Sequence, residues 1–355
     1  MEFLSEYGLF LAKTLTWVIA VLAATAGVLA LAARGKDQDD KGEITVTRYN
    51  DEQHRLQQRI HLAMLPETDR KAAAKADKAA EKTRKADHKK ALSGATPKEP
   101  ERARRIFVLD FDGDLRASHV ESLRHTVTAT LMLADPQQDE VMVRLESPGG
   151  MVHAYGLAAA QLDRIRRAGL PLTACVDKVA ASGGYLMACV ADRIQASPFA
   201  IIGSIGVVAQ LPNFHRLLKK HDIDYEILTA GEYKRTLTMF GENTDKGRQK
   251  FLDDLQTIHV LFKQYVGERR TALDLEAVAN GDIWLGSDAC RVGLVDGIGT
   301  SDEWLAEASN RGDVLVIDYV RKRSLPERLG LAAATGVERS VMKVVSLISQ
   351  SRYSA

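Results

Sequence analysis

The chain has 355 residues, of which 45% are hydrophobic, and its formal net charge at pH 7 is +1. This length accommodates one catalytic domain with appendages or two small domains, and the near-neutral charge gives no support for a nucleic-acid-binding protein. Three cysteines without a CxxC pair, Cys175, Cys189 and Cys290, argue against a disulfide framework or a cysteine metal site. We interpret them as small buried hydrophobic residues, and we expect neither a metal ion nor a cofactor.

The first candidate element is a long uncharged stretch, residues 14–33, with the sequence TLTWVIAVLAATAGVLALAA. A helix of that length spans about 30 Å, which matches the hydrocarbon thickness of a bilayer. A cleaved signal peptide is the alternative, because Ala30-Leu31-Ala32 resembles a cleavage site, but the start of the chain is not basic. We therefore predict an uncleaved N-terminal transmembrane helix within residues 1–36. Basic residues after the stretch lean slightly towards a cytoplasmic body.

A charged region, residues 37–103, follows the predicted anchor. Its centre, residues 71–90, is rich in lysine and alanine and has no apolar stripe. We therefore predict a solvated helical or disordered arm rather than a packed element. A basic arm that contacts anionic lipid or nucleic acid is the functional alternative.

Residues 104–310 are predicted to form an α/β domain, because short apolar strands alternate with helical segments and this pattern favours a largely parallel sheet. The predicted strands are RIFVLDF, EVMVRLE, LPLTACV, DRIQAS and YEILTAG, and the predicted helices cover residues 118–133, 155–168 and 245–279.

Two other segments are apolar enough to raise the question of a membrane or a partner. A second membrane span over residues 182–211 is disfavoured by the charged pair Asp192 and Arg193. Residues 311–355 are predicted to be a C-terminal extension with an amphipathic helix from Val337 onwards, which could pack on a partner subunit, a membrane surface or its own domain.

Three glycine-bearing loops each follow a predicted strand: SPGG at 147–150, SGG at 182–184 and GSIG at 203–206. In open α/β sheets, sites form outside the carboxyl ends of the strands. Glycines there let backbone N–H groups approach a bound carbonyl, and two such donors form an oxyanion hole. Ser182, at a helix start, is the candidate nucleophile, because free N–H groups and the helix dipole favour negative charge there.

A nucleophilic serine needs a base. The histidines that follow Ser182 along the chain, His215, His221 and His259, do not lie beside a glycine or an acidic partner in a loop after a strand. A lysine can serve instead if desolvation lowers its pKa, and Lys234 follows the predicted strand YEILTAG. On spacing alone, this signal is weak and Lys234 is better interpreted as a surface lysine.

Five motifs carry a family resemblance: ESPGG, VAASGGYLMACVADRIQASP, IIGSIGV, AGEYKR and GLVDGIG. In this order, over about residues 105–305, they resemble the signal peptide peptidase A family of Ser–Lys peptidases, and the N-terminal region is similar to that of its single-repeat bacterial membrane members. The resemblance implies a catalytic pair, with Ser182 as nucleophile and Lys234 as general base. It also implies that Ser204 orients the lysine.

The resemblance implies three oxyanion-hole residues as well: Gly149 and Gly150 in one loop and the N–H of Gly183. The implied fold is a ClpP–crotonase-like ββα spiral with an N-terminal transmembrane helix and a charged arm. Family members form homo-oligomers, and in short members the lysine and serine of one site can come from neighbouring subunits.

The implied function is that of a membrane-anchored serine endopeptidase. Its substrates would be signal-peptide remnants or other membrane-associated polypeptides, cut at small or apolar residues. The implied location is the bacterial inner membrane, with a single N-terminal helix in the lipid bilayer and the soluble domain on the periplasmic side. No nucleic acid is expected as a partner.

Two alternatives remain beside the peptidase. A crotonase-type acyl-CoA enzyme would explain the glycine pairs as an oxyanion hole, but it explains neither Ser182 together with Lys234 nor the anchor. A catalytically inactive, membrane-anchored scaffold of the same fold would not need Ser182, Lys234 and Ser204 intact.

Overall fold

The computed structural model describes residues 42–73 and 103–321, together with a few isolated positions before and between these ranges. The chain divides into two compact units, Met1–Glu43 with Val320–Ala355 and Ile44–Tyr319, and the elements below belong to the second unit apart from the outer ends of its first and last strands. Most of the predicted anchor, much of the charged arm and the predicted C-terminal helix lie outside the described residues. Within the described residues, no helix has the length and apolar character needed to cross a membrane.

Among the described residues, the main sheet consists of seven strands: β1 (Gly42–Arg48), β2 (Arg105–Asp112), β3 (Glu140–Glu146), β4 (Leu172–Val176), β6 (Arg193–Ala196), β9 (Gly297–Ile298) and β10 (Asp313–Arg321). Their order across the sheet is β1-β10-β2-β3-β4-β6-β9, and the pairs from β10 through β9 are parallel. Parallel pairing requires crossover connections. The predicted α/β class with a largely parallel sheet is confirmed.

A second sheet of three short strands lies beside the end of β3. It consists of β5 (Val179–Ala181), β7 (Ile201–Gly203) and β8 (Ile283–Leu285), with β5 and β7 parallel and β7 and β8 antiparallel. A parallel bridge between Ser147 and Ala180 connects the residue after β3 to β5. This bridge brings two of the three glycine-bearing loops to one place.

Helices make most of the connections. They are α1 (Tyr49–Met64), α2 (Val120–Leu133), α3 (Val152–Arg167), α4 (Gly183–Ala188), α5 (His215–Lys220), α6 (Asp245–Arg269), α7 (Leu275–Val278), α8 (Gly286–Arg291) and α9 (Ser301–Arg311). Several begin at side-chain caps: Thr244 caps α6, Asp274 caps α7, and Thr300 forms a capping box with Glu303 on α9.

The main sheet is buried on both faces, because neighbouring residues of β2 point to opposite sides of it. Phe107 and Leu109 belong to the large core cluster under α2, α3 and α4, whereas Ile106 and Val108 pack with Trp304 of α9. A fully covered parallel sheet explains why β2 and β3 are continuous apolar runs instead of alternating ones.

Two elements differ from the sequence prediction. The segment YEILTAG, residues 225–231, was expected to be a strand, and this is wrong: it is irregular and its side chains are exposed. Its apolar side chains are not covered by the main core, and it pairs with no described strand. The helix expected over residues 245–279 is interrupted after Arg269, because Arg270 leaves helical geometry with φ −117° and ψ 66°.

The sheet also extends beyond the predicted domain limits of 104 and 310. Strand β1 lies in the predicted arm, and β10 lies in the predicted C-terminal extension. β10 pairs with β2 in register, Leu315 opposite Phe107, and β1 lies outside β10 at the edge of the sheet. Local pattern can indicate that such a segment is a strand, but only long-range pairing decides which sheet it joins.

Candidate active site

Ser182 occupies a sharp turn between β5 and α4. Its backbone angles are φ 51° and ψ −119°, a region that non-glycine residues rarely adopt and that costs about 1–3 kcal/mol. The turn is held by the sheet, because the Ser182 N–H donates to the carbonyl of Gly203 at 2.8 Å, and the first bond of α4 runs from the Leu186 N–H to the Ser182 carbonyl. A strained strand-to-helix turn of this kind presents a serine hydroxyl outward.

Glycines surround the turn because other backbone segments approach it closely. A Cβ on Gly149 would lie 2.6 Å from the Gly183 nitrogen and 2.7 Å from the Ser182 Cβ, and Gly149 also has a φ of +88°. A Cβ on Gly183 would collide with the ring of Tyr155, and one on Gly184 with the carbonyl of Ser147. The loop after β3 therefore packs directly against the Ser182 turn.

Several backbone N–H groups near Ser182 have no acceptor in the described part of the chain, and two of them, those of Gly150 and Gly183, belong to predicted oxyanion residues. Gly183 is the first residue of α4, where an N–H lacks an intrahelical partner. The N–H of Gly149, in contrast, donates to the hydroxyl of Ser147 at 3.1 Å. Of the three predicted oxyanion residues, Gly150 and Gly183 thus retain a free donor.

Ser204 lies next to Ser182 at the same edge of the small sheet. β5 and β7 run parallel with Ala181 opposite Gly203, so the residues that follow each strand are neighbours. Ser204 has the same φ of 51°, and its N–H donates to the carbonyl of Asp282 at 2.7 Å. The structure brings these two predicted site residues together.

Lys234 is not part of this arrangement in the single chain. It lies in an exposed turn, with its N–H bonded to the carbonyl of Gly231 at 3.2 Å, and it does not line the cleft beside Ser182. The surrounding segment, residues 207–243, is almost entirely exposed and carries large apolar side chains such as Leu217 and Leu228.

Ser182 opens into an apolar cleft of about 240 Å³. The walls come from the Gly150–Val152 loop, from α3, from residues 206–208 and from α6, which contributes Ile258, Leu261, Phe262 and Tyr265. Gly156 of α3 also lines the cleft, and a Cβ added there would meet no atom within 4 Å. The cleft is therefore suited to an apolar side chain beside the nucleophile.

The other candidate nucleophiles and bases are occupied or inert. Burial raises the pKa of both Cys175 and Cys189 to about 12, so neither forms the thiolate that a cysteine nucleophile requires. His259 points its Nε2 at the carbonyls of Ile205 and Ala279, at 3.2 and 3.0 Å. No histidine lines the cleft, and no cluster suited to a metal ion occurs among the described residues.

Sequence reasoning did not identify Ser147 and Tyr155, which lie under the Gly149–Gly150 loop. Both are completely buried, and the Ser147 Oγ lies 2.6 Å from the Tyr155 hydroxyl. The only local signal was a polar serine before the glycine pair, because Tyr155 reads as an ordinary aromatic residue of an amphipathic helix. The α6 wall of the cleft was also missed, since it comes from a segment about 75 residues after Ser182.

Two family models and relatives from two bacteria match this chain. The chain matches the models of the peptidase family S49 N-terminal region over residues 2–162 and of peptidase family S49 over residues 164–315. It is 44% identical over 344 residues to a probable protease SohB of Haemophilus influenzae, covering 97% of this chain and 96% of that protein. It is 51% identical over 241 residues to a probable protease SohB of Buchnera aphidicola, covering 68% and 71%.

Among solved structures, the chain is similar to a variant of the membrane-bound stomatin-specific protease 1510-N. The TM-score is 0.37 at 11% identity, covering 57% of this chain and 84% of that one, which is too distant to support an argument. The two family models and the near full-length relatives carry the assignment, and they confirm the resemblance drawn from the five motifs. The chain belongs to peptidase family S49 and is a peptidase.

Proposed function

We propose that this chain is a serine endopeptidase with Ser182 as nucleophile and Lys234 as general base. The observation that carries the proposal is the Ser182 turn, in which a strained serine stands between two free N–H groups at the mouth of an apolar cleft. Backbone strain persists only where the surrounding structure enforces it, and it concentrates at functional sites. The strained turn therefore supports a catalytic serine over a scaffold protein.

The proposed reaction is acyl transfer to serine followed by hydrolysis. The uncharged lysine takes the proton of the Ser182 hydroxyl as the Oγ bonds to the peptide carbonyl carbon. The carbonyl oxygen becomes an oxyanion, held by the N–H groups of Gly150 and Gly183. The lysine then passes the proton to the leaving amine as the C–N bond breaks. A water then bonds to the acyl carbon as the same lysine takes its proton. The bond from this carbon to the Ser182 Oγ breaks, the lysine returns the proton to Oγ, and the acid is released.

We assign the oxyanion donors to Gly150 and Gly183, because the N–H of Gly149 is already donated to Ser147. Gly149 contributes by conformation instead: its positive φ turns the loop so that Gly150 faces the cleft. Ser204 is proposed to hold the amine of the base, since its position beside Ser182 is where the base must come.

We propose that Lys234 reaches the Ser182 of a second copy of the chain. Lys234 is exposed and does not line the cleft of its own chain, and the segment around it presents apolar side chains that a partner would cover. Burial against that partner would favour the uncharged form that a base needs. A homo-oligomer follows from this arrangement, and the proposed fold is the ClpP–crotonase-like spiral.

The proposed substrates are peptides and membrane-associated polypeptides, including signal-peptide remnants, with a small or apolar side chain in the cleft beside Ser182. This is supported by the apolar walls of the cleft and by the uncharged stretch at residues 14–33, which would anchor the enzyme in a lipid bilayer. The proposed location is the bacterial inner membrane, with the peptidase domain on the periplasmic side.

A serine-reactive fluorophosphonate probe tests this function. Labelling of the full chain is expected to disappear in Ser182→Ala and to weaken strongly in Lys234→Ala, with oligomeric state unchanged. Two exposed residues outside the site and outside residues 207–243 provide matched controls, and Ser287→Ala and Lys71→Ala should label like the wild type. Full proteolysis by Ser182→Ala would refute the assignment. Turnover of CoA thioesters without peptide hydrolysis would favour the crotonase alternative, and no activity at all would favour the scaffold.

A further inference from the structure

A chain of hydrogen bonds runs beneath the loop that carries Gly150. The Gly149 N–H donates to the Ser147 Oγ at 3.1 Å, the Ser147 Oγ lies 2.6 Å from the Tyr155 hydroxyl, and that hydroxyl donates to the carbonyl of Asp114 at 2.8 Å. Ser147 and Tyr155 are both 0% exposed. Buried hydroxyls in such a chain are costly unless each is fully satisfied.

The direction of the protons in this chain follows from its end. A carbonyl can only accept, so the Tyr155 proton points to Asp114. The Tyr155 oxygen must then accept the Ser147 proton, and the Ser147 oxygen accepts the Gly149 N–H. Burial also raises the pKa of Tyr155 above its usual value, so the hydroxyl keeps its proton at neutral pH. One arrangement satisfies all three groups, and a shift of the loop would break it.

The ring of Tyr155 also packs against Gly183, which provides the second proposed oxyanion donor. A Cβ on Gly183 would collide with the ring atoms of Tyr155, so the ring lies directly against the first residue of α4. Ser147 is tied on the same side, because its N–H donates to Val179 and its carbonyl accepts from Ala181, both at the ends of β5. Tyr155 therefore contacts Gly183 directly and the loop that carries Gly150 through Ser147.

We propose that Tyr155, acting with Ser147, is a positioning residue that sets the separation of the Gly150 and Gly183 N–H groups. The inference rests on the proposed function and adds a residue to it. Neither side chain touches the reacting atoms; the pair holds the N–H of Gly149 and thereby limits movement of the next peptide, which carries the N–H of Gly150. Preorganised donors are effective in catalysis because they need no rearrangement during the reaction.

Steady-state kinetics of full-length Tyr155→Phe provides the test, with a peptide that the wild type cleaves. We expect kcat to fall about 10- to 100-fold, which is at most the loss of about 100-fold or more that removal of a whole oxyanion donor causes. KM should change less than about two-fold. A peptide boronate, which occupies the oxyanion hole, should bind more weakly by the same factor as kcat/KM. Ser147→Ala should behave alike, and the double variant should lose little more than the larger single loss.

Tyr185→Phe is the matched control. Tyr185 is equally buried, and its hydroxyl donates to the carbonyl of Leu294 at 2.9 Å, away from the loop. It should keep kcat within about two-fold although it loses a comparable buried hydrogen bond. Equal kinetic losses in Tyr155→Phe and Tyr185→Phe, or a loss confined to KM, would overturn the proposal.

Hydrogen exchange separates this inference from the proposed function. Amide exchange of the segment 148–151 should accelerate in Tyr155→Phe and in Ser147→Ala but not in Tyr185→Phe, whether or not the wild type cleaves peptides. An inactive wild type with accelerated exchange would refute the peptidase proposal and support the positioning role. Unchanged exchange in both loop variants would refute the positioning role.

Discussion

The strained φ of 51° at Ser182 should affect the stability of the protein as well as its activity. Glycine adopts this conformation freely, whereas alanine retains the strain. We expect Ser182→Gly to have a free energy of unfolding about 1 kcal/mol higher than Ser182→Ala, measured by urea denaturation, while both lose probe labelling. Ser309 in α9 provides the control. Because this position lies inside a helix, Ser309→Gly should have a free energy of unfolding about 1 kcal/mol lower than Ser309→Ala. The same order at both sites would show that the turn at Ser182 is unstrained.

Gly156 bears on substrate size. It lies inside α3, where glycine costs about 1 kcal/mol relative to alanine, and the space beyond its Cα is open cleft. We expect Gly156→Leu to lower kcat/KM at least about ten-fold for peptides with leucine in the cleft, and less than about three-fold for those with alanine. Arg167→Leu, at the exposed end of the same helix, should leave the ratio of the two unchanged. An unchanged ratio in Gly156→Leu would show that this cleft does not receive the substrate side chain.

At the scale of elements, α6 forms one wall of the cleft and is held at its end by Asp296. This carboxylate, just before β9, accepts two hydrogen bonds of 2.8 Å from Arg270, the residue after α6, and one of 2.7 Å from the Ile194 N–H. Burial acts to raise the pKa of Asp296, but the hydrogen bonds from Arg270 and Ile194 outweigh it, and the pKa lies below its usual value. The clamp joins the cleft wall to the edge of the main sheet.

The sign of this shift predicts a pH dependence. A carboxylate with a lowered pKa in the folded state stabilises the fold above its unfolded pKa of about 3.9, and the stabilisation is lost as pH falls through the folded-state pKa. We expect Asp296→Asn to lower the free energy of unfolding by about 1–2 kcal/mol at pH 7. The difference from wild type should disappear as the pH falls through the lowered folded-state pKa of Asp296. Asp224→Asn, which removes an exposed pair with Lys219, should have no measurable effect at either pH. A constant difference across pH would contradict the clamp.

At the scale of the whole molecule, the separation of Lys234 from Ser182 predicts complementation. Ser182→Ala and Lys234→Ala chains are each expected to be inactive alone. Co-expressed in equal amounts, the two variants should regain about a quarter of wild-type activity. Each site needs an intact serine from one copy and an intact lysine from its neighbour, and each of these is present with a chance of about one half. The double variant Ser182→Ala/Lys234→Ala co-expressed with either single variant should regain nothing. No recovery in the mixed oligomer would place both residues of a site in one chain.

The sequence by itself determined the α/β class, the candidate nucleophile and the family, because these depend on local pattern: apolar strands alternating with helices, and glycine-rich motifs in a fixed order. It did not determine that β1 and β10 complete the sheet, nor that residues 225–231 form no strand, because strand pairing is a long-range property of backbone hydrogen bonds.

Only the tertiary structure decided how the site is built. The parallel register of β5 and β7 makes Ser182 and Ser204 neighbours, and the bridge after β3 brings the Gly149–Gly150 loop against Ser182. The buried Ser147 hydroxyl then accepts the N–H of Gly149, whereas that of Gly150 has no acceptor among the described residues. These relations join segments tens of residues apart, and residue spacing along a chain carries no information about which N–H group remains unbonded once the chain has folded.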